Sequence, residues 1–469
     1  MELTSKTGMW NWFGRRKSAA KDGAPVRLAA SHVRRILAEC ASESGGEASA
    51  RTRVAELAAH YRGLDDEGKR GFFALLVAQD ETHADPALPL IDEYLHANGT
   101  ARRLAAVQLR AALAGTSLRV LRQLNLLDDG VKFLVDLRAD ALRLGQKAPE
   151  PRVVGEELLS LFSDWFALGN LELRRITWHS PAALLERLMA YEAVHEIRSW
   201  RDLRHRLESD RRCYAFFHPR MPEEPLVFVE VALMQQVASS ITPLLDESTP
   251  TIDPRAAGAA VFYSISSTQA GLRGVSFGGF LIKRVVESLL AEYPKLSTFA
   301  TLSPVPGFRR WLDARVRSGT NHLLAERAQA AFAKLAPGAD AHAALRAAIG
   351  GNLPSEGPVR DALEAVLAPL CARYLVSEKK DGLPVDPVAR FHLGNGARLD
   401  RVNWLANPSK RGIDESLGIM VNYVYEPQRI EENHEAYFRE GKFATSSGVR
   451  RLLRRADMKV ELEPGEDRV

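Results

Sequence analysis

The hydrophobic pattern of this chain changes period part-way along, and that change limits the folds open to it more than any other feature. From about residue 26 to 162, apolar residues recur at i, i+3, i+4 and i+7. Arg53-Val-Ala-Glu-Leu-Ala-Ala-His-Tyr and Ala101-Arg-Arg-Leu-Ala-Ala-Val-Gln-Leu-Arg-Ala-Ala-Leu both follow this rule, with polar side chains opposite. The pattern is that of amphipathic helices with one buried stripe. Gly and Pro punctuate it around 97–100 and 146–152, and no repeat of fixed period is visible. An all-α helical bundle over residues 1–165 is expected, with a packing or oligomerisation role.

Beyond about residue 168 the texture becomes short and β-rich. Candidate strands are 173–178, 212–217, 226–233, 260–267, 298–302 and 418–425; helical runs at 182–195, 280–293 and 358–378 lie between several of them. Such interleaving predicts an α/β or α+β catalytic domain over 166–469, so the fold class is multidomain, α followed by α/β. A length of 469 residues agrees with more than one core.

Charge and cysteine usage narrow the function. The 63 Lys and Arg residues are interleaved with 59 Asp and Glu, for a formal charge of +4, so no nucleic-acid partner is implied. Cys40, Cys213 and Cys371 are far apart, with neither CxxC nor Cys/His metal spacing. A reducing compartment is expected, with no disulfide framework. No apolar run approaches the roughly 20 residues of a membrane helix; the most apolar stretch, 226–233, is interrupted by Glu230. The basic start, with Lys6, Arg15, Arg16, Lys17 and Lys21, fits a transit peptide and a solvated tail alike. The tail is the expectation, because the whole chain is rich in Ala and Arg.

The most informative stretch is 260–287. It reads as a strand, a loop with Gly271, Gly274, Gly278 and Gly279, and an amphipathic helix. Glycines permit positive φ and close backbone approach, and the first turn of a helix offers free N–H groups to an anion. Arg273, Lys283 and Arg284 add positive charge, so a pyrophosphate would suit the turn; a plain helix start needing glycines to turn is the competing reading. No Gly-Lys-Ser/Thr follows, and the glycine spacing misses GxGxxG. Gly274-Val-Ser-Phe-Gly278 does match GxSxG, the nucleophile elbow of α/β-hydrolases. That motif needs a strand running straight into Ser276, whereas the expected strand ends near Ser267. A serine hydrolase using Ser276 is therefore the rival function.

Two further residues carry chemistry. Ser303 closes the strand 298–302, and Pro304 holds it extended at a strand's C-terminal edge, where α/β sites usually lie. A serine capping the next helix, near Arg309, is the alternative. His392 stands just before an Asn395-Gly396 turn, where a lone histidine is more often a surface or hydrogen-bonded residue. The following segment, 403–425, reads as a strand, a polar loop with Asn407, Ser409, Lys410 and Arg411, and a second strand.

Six blocks then carry a resemblance: Arg211-Arg-Cys-Tyr, Ser264-Ile-Ser, 269–284, Leu302-Ser-Pro-Val-Pro-Gly-Phe, Phe391-His-Leu-Gly-Asn-Gly-Ala and 418–425. In this order they resemble the malonyl-CoA decarboxylases, from about Leu173 to Tyr425. The resemblance implies a catalytic domain of the GNAT acetyltransferase fold, with malonyl-CoA as substrate, acetyl-CoA as product and neither metal nor organic cofactor required. It maps the family's serine and histidine pair onto Ser303 and His392. Its CoA-binding turn corresponds to Gln269, Arg273, Gly274, Val275, Ser276, Phe277, Gly278 and Gly279. A homotetramer is implied too. This chain has Ser276 where some relatives carry a glutamate, and Ala182 and Pro219 where animal relatives carry subunit-linking cysteines. With no Ser-Lys-Leu at the C-terminus, a bacterial cytoplasmic enzyme is expected rather than a mitochondrial-matrix one. A non-catalytic acyl-CoA-binding module is a further alternative.

Overall fold

The computed structural model describes residues 28–41, 46–78, 87–113, 115–275, 280–318, 329, 341–351, 353–354 and 356–456. They divide into two compact units. The first holds the described residues up to Glu172, together with 217–226 and 267–275; the second holds the remaining described residues.

The first unit is helical, as the 3.6-residue period predicts: Ala30–Ala41, Glu47–Arg62, Asp66–Ala78, Ala87–His96, Gly99–Ala112, Thr116–Leu124, Gly130–Leu144 and Pro149–Trp165. The apolar stripes of most of these helices turn inward, while Ala87–His96 and Gly99–Ala112 bury little more than Ala87 and Ala105. Leu57, Phe73, Leu121, Leu134, Leu158 and Phe162 are wholly buried. Tyr61 packs edge-on against Phe72, Phe73 and Phe133, and its hydroxyl donates to Asp140 at 3.1 Å. Buried aromatic groups of this kind carry much of a helical core's stability.

The second unit is built on a mixed sheet, so the expected order of a helical region followed by an α/β region is the one observed. Its strands are β1 (Glu172–Ile176), β2 (Arg211–Phe217), β3 (Val227–Met234), β4 (Ala259–Ser267), β5 (Thr298–Thr301), β6 (Ser303–Pro304), β9 (Arg398–Asn403) and β10 (Met420–Tyr425); β7 (Lys379–Lys380) and β8 (Leu383–Pro384) form a separate hairpin. Among the described residues the sheet order is β1-β2-β3-β4-β5-β10-β6, with β9 also on β10. β2 and β3 pair antiparallel, β4 and β5 parallel, and β10 runs antiparallel to β5, β6 and β9. β2 and β3 are buried nearly throughout, which explains their continuous apolar runs. Glu230, which interrupts one such run, faces the guanidinium of buried Arg206 at 3.1 Å.

Two local expectations are corrected. The segment between β9 and β10 is a helix, Lys410–Ser416, rather than a loop; Ser409 caps it by accepting from Gly412 N. His392 also lies within a helix, Pro387–Gly394. Asp386 caps that helix and Pro387 opens it, an N-terminal signal present in the sequence. Asn395 and Gly396 then turn the chain, with Gly396 at φ +78°.

Candidate active site

β5 and β6 are one strand interrupted at Leu302. Ala300 pairs with Val424 before the break and Ser303 with Val421 after it, so the register against β10 is unchanged. Side chains fill the gap in the ladder. Tyr423 N donates to Thr301 Oγ1 (3.1 Å), and Asn422 Nδ2 donates to Thr301 O (2.6 Å). Leu302 N reaches Phe262 O on β4. The period of two puts Thr301 and Ser303 on one face, beside Tyr423 and Tyr425 of β10.

The helix Pro387–Gly394 sets His392 on that face. Its Nε2 lies 3.0 Å from Ser303 Oγ, although 88 residues separate the two in the chain. Its Nδ1 lies 2.9 Å from Tyr425 Oη. The imidazole stacks on the Tyr423 ring, with centroids 4.7 Å apart and planes at 24°. Thr301, Ser303, His392, Tyr423 and Tyr425 are all buried. Burial pushes the His392 pKa down to about 3, so the imidazole is neutral.

The hydrogen bonds run in one direction. Ser303 Oγ donates its only proton to Thr301 Oγ1 at 2.9 Å. Nε2 of His392 must then carry a proton and donate to Ser303, which leaves Nδ1 to accept from the Tyr425 hydroxyl. The chain therefore reads Tyr425 to His392 to Ser303 to Thr301.

The wider setting is held by Asp386. Its Oδ1 accepts from Val388 N and Ala389 N at 3.0 Å, and the carboxylate also accepts from Gly307 N, four residues beyond Ser303. Tyr374 Oη is 3.5 Å from Oδ2. One wholly buried carboxylate thus ties the segment after Ser303 to the helix of His392, and burial raises its pKa to about 6.

Comparison with known proteins decides the family. Residues 169–463 match the malonyl-CoA decarboxylase C-terminal domain, and 89–166 match the N-terminal domain of the same family. The mitochondrial malonyl-CoA decarboxylase of Rattus norvegicus is 39% identical over 359 residues, 74% of this chain and 73% of the relative. The crystal structure of malonyl-CoA decarboxylase from Rhodopseudomonas palustris superposes with a TM-score of 0.80 at 40% identity, covering 90% of this chain and 100% of that one. The Agrobacterium vitis structure gives 0.81 at 40%, covering 90% and 99%. The chain belongs to the malonyl-CoA decarboxylase family.

As a malonyl-CoA decarboxylase family member, this chain brings together Ser303 and His392, the two residues the resemblance pairs. Of the expected CoA turn, Ser276, Phe277, Gly278 and Gly279 lie outside the described residues, and with them the GxSxG serine. The rest of the turn belongs to the first unit. Gln269 is buried and donates to Pro225 O at 3.3 Å, and Ala270–Leu272 form a single 3₁₀ turn. Gly274 has φ +86°, a left-handed conformation that favours glycine, and Val275 is buried.

Phe308 packs against Trp311 and Tyr374, whereas Phe391 is edge-on to the His392 ring and largely exposed. Lys410 pairs with Asp414, and Arg411 donates to Glu415 and to the carbonyls of Ala193 and Val194. Both basic groups are thus held by protein partners. Among the described residues no group of three or more His, Cys, Asp or Glu side chains could hold a metal, and no single helix is long and apolar enough to cross a membrane.

Sequence reasoning missed Thr301, Tyr423, Tyr425 and Asp386. Strand alternation in Thr298-Phe-Ala-Thr-Leu-Ser and Asn422-Tyr-Val-Tyr was a usable signal for the first three, and Asp386-Pro387 ahead of an apolar-periodic run was the signal for the fourth.

Proposed function

We propose that this chain converts malonyl-CoA to acetyl-CoA and carbon dioxide, with Ser303 orienting the malonyl carboxylate and His392 protonating the carbon. Family membership supports the reaction, and the 3.0 Å approach of Ser303 Oγ to His392 Nε2 in a buried setting supports the roles. The turn at 269–279 binds CoA in this reading, as the resemblance implies.

The reaction consumes one proton. The malonyl carboxylate leaves as neutral carbon dioxide, its C–C bonding pair forms an enolate, and the enolate carbon takes a proton. A neutral imidazole is a poor acid, so His392 needs to gain a proton first. An arriving carboxylate supplies the reason, because a negative charge within a few ångströms favours imidazolium. Loss of carbon dioxide then carries that charge over to the enolate, whose carbon becomes the base. The proton moves from His392 to that carbon, which neutralises enolate and imidazolium together, and burial favours the neutral imidazole that results. Burial also favours departure of an uncharged product over retention of a carboxylate.

Ser303→Ala and His392→Asn are each expected to lower kcat by roughly 100-fold to 10,000-fold. CoA binding measured by calorimetry should persist in both. Turnover close to wild type in either variant removes that residue from the mechanism. Binding of malonyl-CoA by the wild-type chain with no carbon dioxide released would favour a non-catalytic acyl-CoA module. A hydrolase reading would require fluorophosphonate labelling abolished by Ser276→Ala.

The helical region over 1–165 serves as an oligomerisation domain and 166–469 as the catalytic, GNAT-like domain in this proposal. A homo-oligomer in the bacterial cytoplasm is the assembly and place we assign. Support for the former comes from apolar side chains left on the surface of Ala87–His96 and Gly99–Ala112, taken up below.

A further inference from the structure

Helix Gly130–Leu144 reads as part of a plain bundle, yet it carries a buried arginine that reaches the turn at 271–275. Arg138 is 2% exposed. Its Nη1 donates to Gly271 O at 2.5 Å and to Arg273 O at 2.7 Å, and its Nε donates to Gly155 O at 2.9 Å. The same helix meets the turn backbone directly. A Cβ on Gly271 would fall 1.8 Å from Val135 O, so only glycine fits there.

These contacts fix which way the turn's peptide groups point. In a trans peptide the C=O and the following N–H are opposed. Arg138 draws the carbonyls of Gly271 and Arg273 towards itself, so the N–H groups of Leu272 and Gly274 point away. Leu272 N is satisfied by Gln269 O at 3.0 Å, Arg273 N by Ala270 O and Val275 N by Leu272 O. Gly274 N has no acceptor among the described residues.

Charge adds to geometry. Among the described residues no carboxylate forms an ion pair with Arg138, whose hydrogen bonds all end on carbonyls. Gly274 also approaches this guanidinium, since a Cβ there would sit 3.9 Å from Nη2. A buried cation whose hydrogen bonds all end on carbonyl dipoles, with the Glu156 carboxylate acting on it without an ion pair, favours an anion nearby.

We propose that Arg138 is a positioning residue for substrate binding: it pins the carbonyls of Gly271 and Arg273 so that Gly274 N–H and a local positive field are presented to the diphosphate of the CoA thioester. This rests on the reading that the turn binds CoA. It gives the helical region a part in substrate recognition beyond packing.

Steady-state kinetics of the full-length chain with two substrates tests it. Malonyl-CoA carries the diphosphate, and malonyl-pantetheine lacks it. Arg138→Met should raise KM for malonyl-CoA by about tenfold to a hundredfold, as loss of hydrogen bonds from a charged group implies, with kcat little changed. Kinetics with malonyl-pantetheine should stay at wild-type values. Arg138→Lys keeps the charge and one carbonyl contact, so its KM for malonyl-CoA should fall between the two; it also serves if the methionine variant does not fold. Equal losses on both substrates, or none on either, would overturn the proposal. A wild-type enzyme that treats the two substrates alike would instead sink the assignment of the turn to CoA.

Discussion

At the scale of single residues, the site depends on which atoms hold protons. Thr301 fixes this through Ser303 rather than by a hydrogen bond to the histidine. Its Oγ1 accepts from Tyr423 N, a backbone group that can only donate, and from Ser303 Oγ. With Ser303's proton so committed, His392 keeps its proton on Nε2. Thr301→Val removes the acceptor and frees the Ser303 hydroxyl to turn towards Nε2, which shifts the imidazole proton to Nδ1. Histidine-selective ¹⁵N NMR, with His392→Asn for assignment, should show that change of tautomer, and Thr301→Ser should restore the original pattern. An unchanged His392 spectrum in the valine variant would contradict the directed chain. Ser303 and His392 could be reached from motif blocks because their chemistry is borne by residue type. The tyrosines around them could not be singled out, since an aromatic on a buried strand is more often core. Only the register against β5 shows that Tyr423 and Tyr425 flank the imidazole.

At the scale of elements, the strands read from apolar runs and the helices read from their period lie within a few residues of the observed ones, while the strand expected from residue 403 begins where β9 ends, and the helices Ile430–Glu440 and Ser447–Arg455 were not read. The helix of His392 was not read either, because an eight-residue segment holds barely two turns and its Asn-Gly end reads as a hairpin turn. Its stability comes instead from Asp386, which caps it and also accepts from Gly307 N. Asp386→Ala should cost about 1–3 kcal/mol of stability through the lost cap and the orphaned N–H groups, measured by urea denaturation. A loss under a few tenths would contradict the role given to this carboxylate. The pH dependence carries a definite sign. Asp386 has a folded pKa of about 6, above the roughly 4 of an unfolded aspartate. Between these values the native state holds a proton that the unfolded chain has released, so this group's contribution to stability falls as pH rises through the window. Asp386→Asn, which keeps a capping carbonyl, should flatten that part of the stability curve.

At the scale of the whole molecule, the order of a helical region and then an α/β region was plain from the period change. That residues 217–226 and 267–275 join the helical unit was not, because the joining depends on contacts such as Arg138 to Gly271 O rather than on any pattern along the chain. The pairing of Glu230 with Arg206 was likewise invisible along the chain, because it depends on two buried elements meeting. The surface of the helical unit bears on assembly. Leu88, Leu95, Leu104, Val107 and Leu113 are each more than half exposed on or beside Ala87–His96 and Gly99–Ala112. Clustered exposed apolar groups mark association surfaces. Leu104→Glu with Val107→Glu should therefore give a smaller species than wild type by light scattering, and an unchanged mass would remove this face from the assembly.

The pairing of a serine hydroxyl with a neutral, buried imidazole is the claim on which the chemistry turns, and single-turnover quench-flow of His392→Asn with saturating malonyl-CoA addresses it most directly. Acetyl-CoA should form at least about 100-fold more slowly than in wild type while malonyl-CoA stays bound. Formation of acetyl-CoA at the wild-type rate in that variant would contradict that claim.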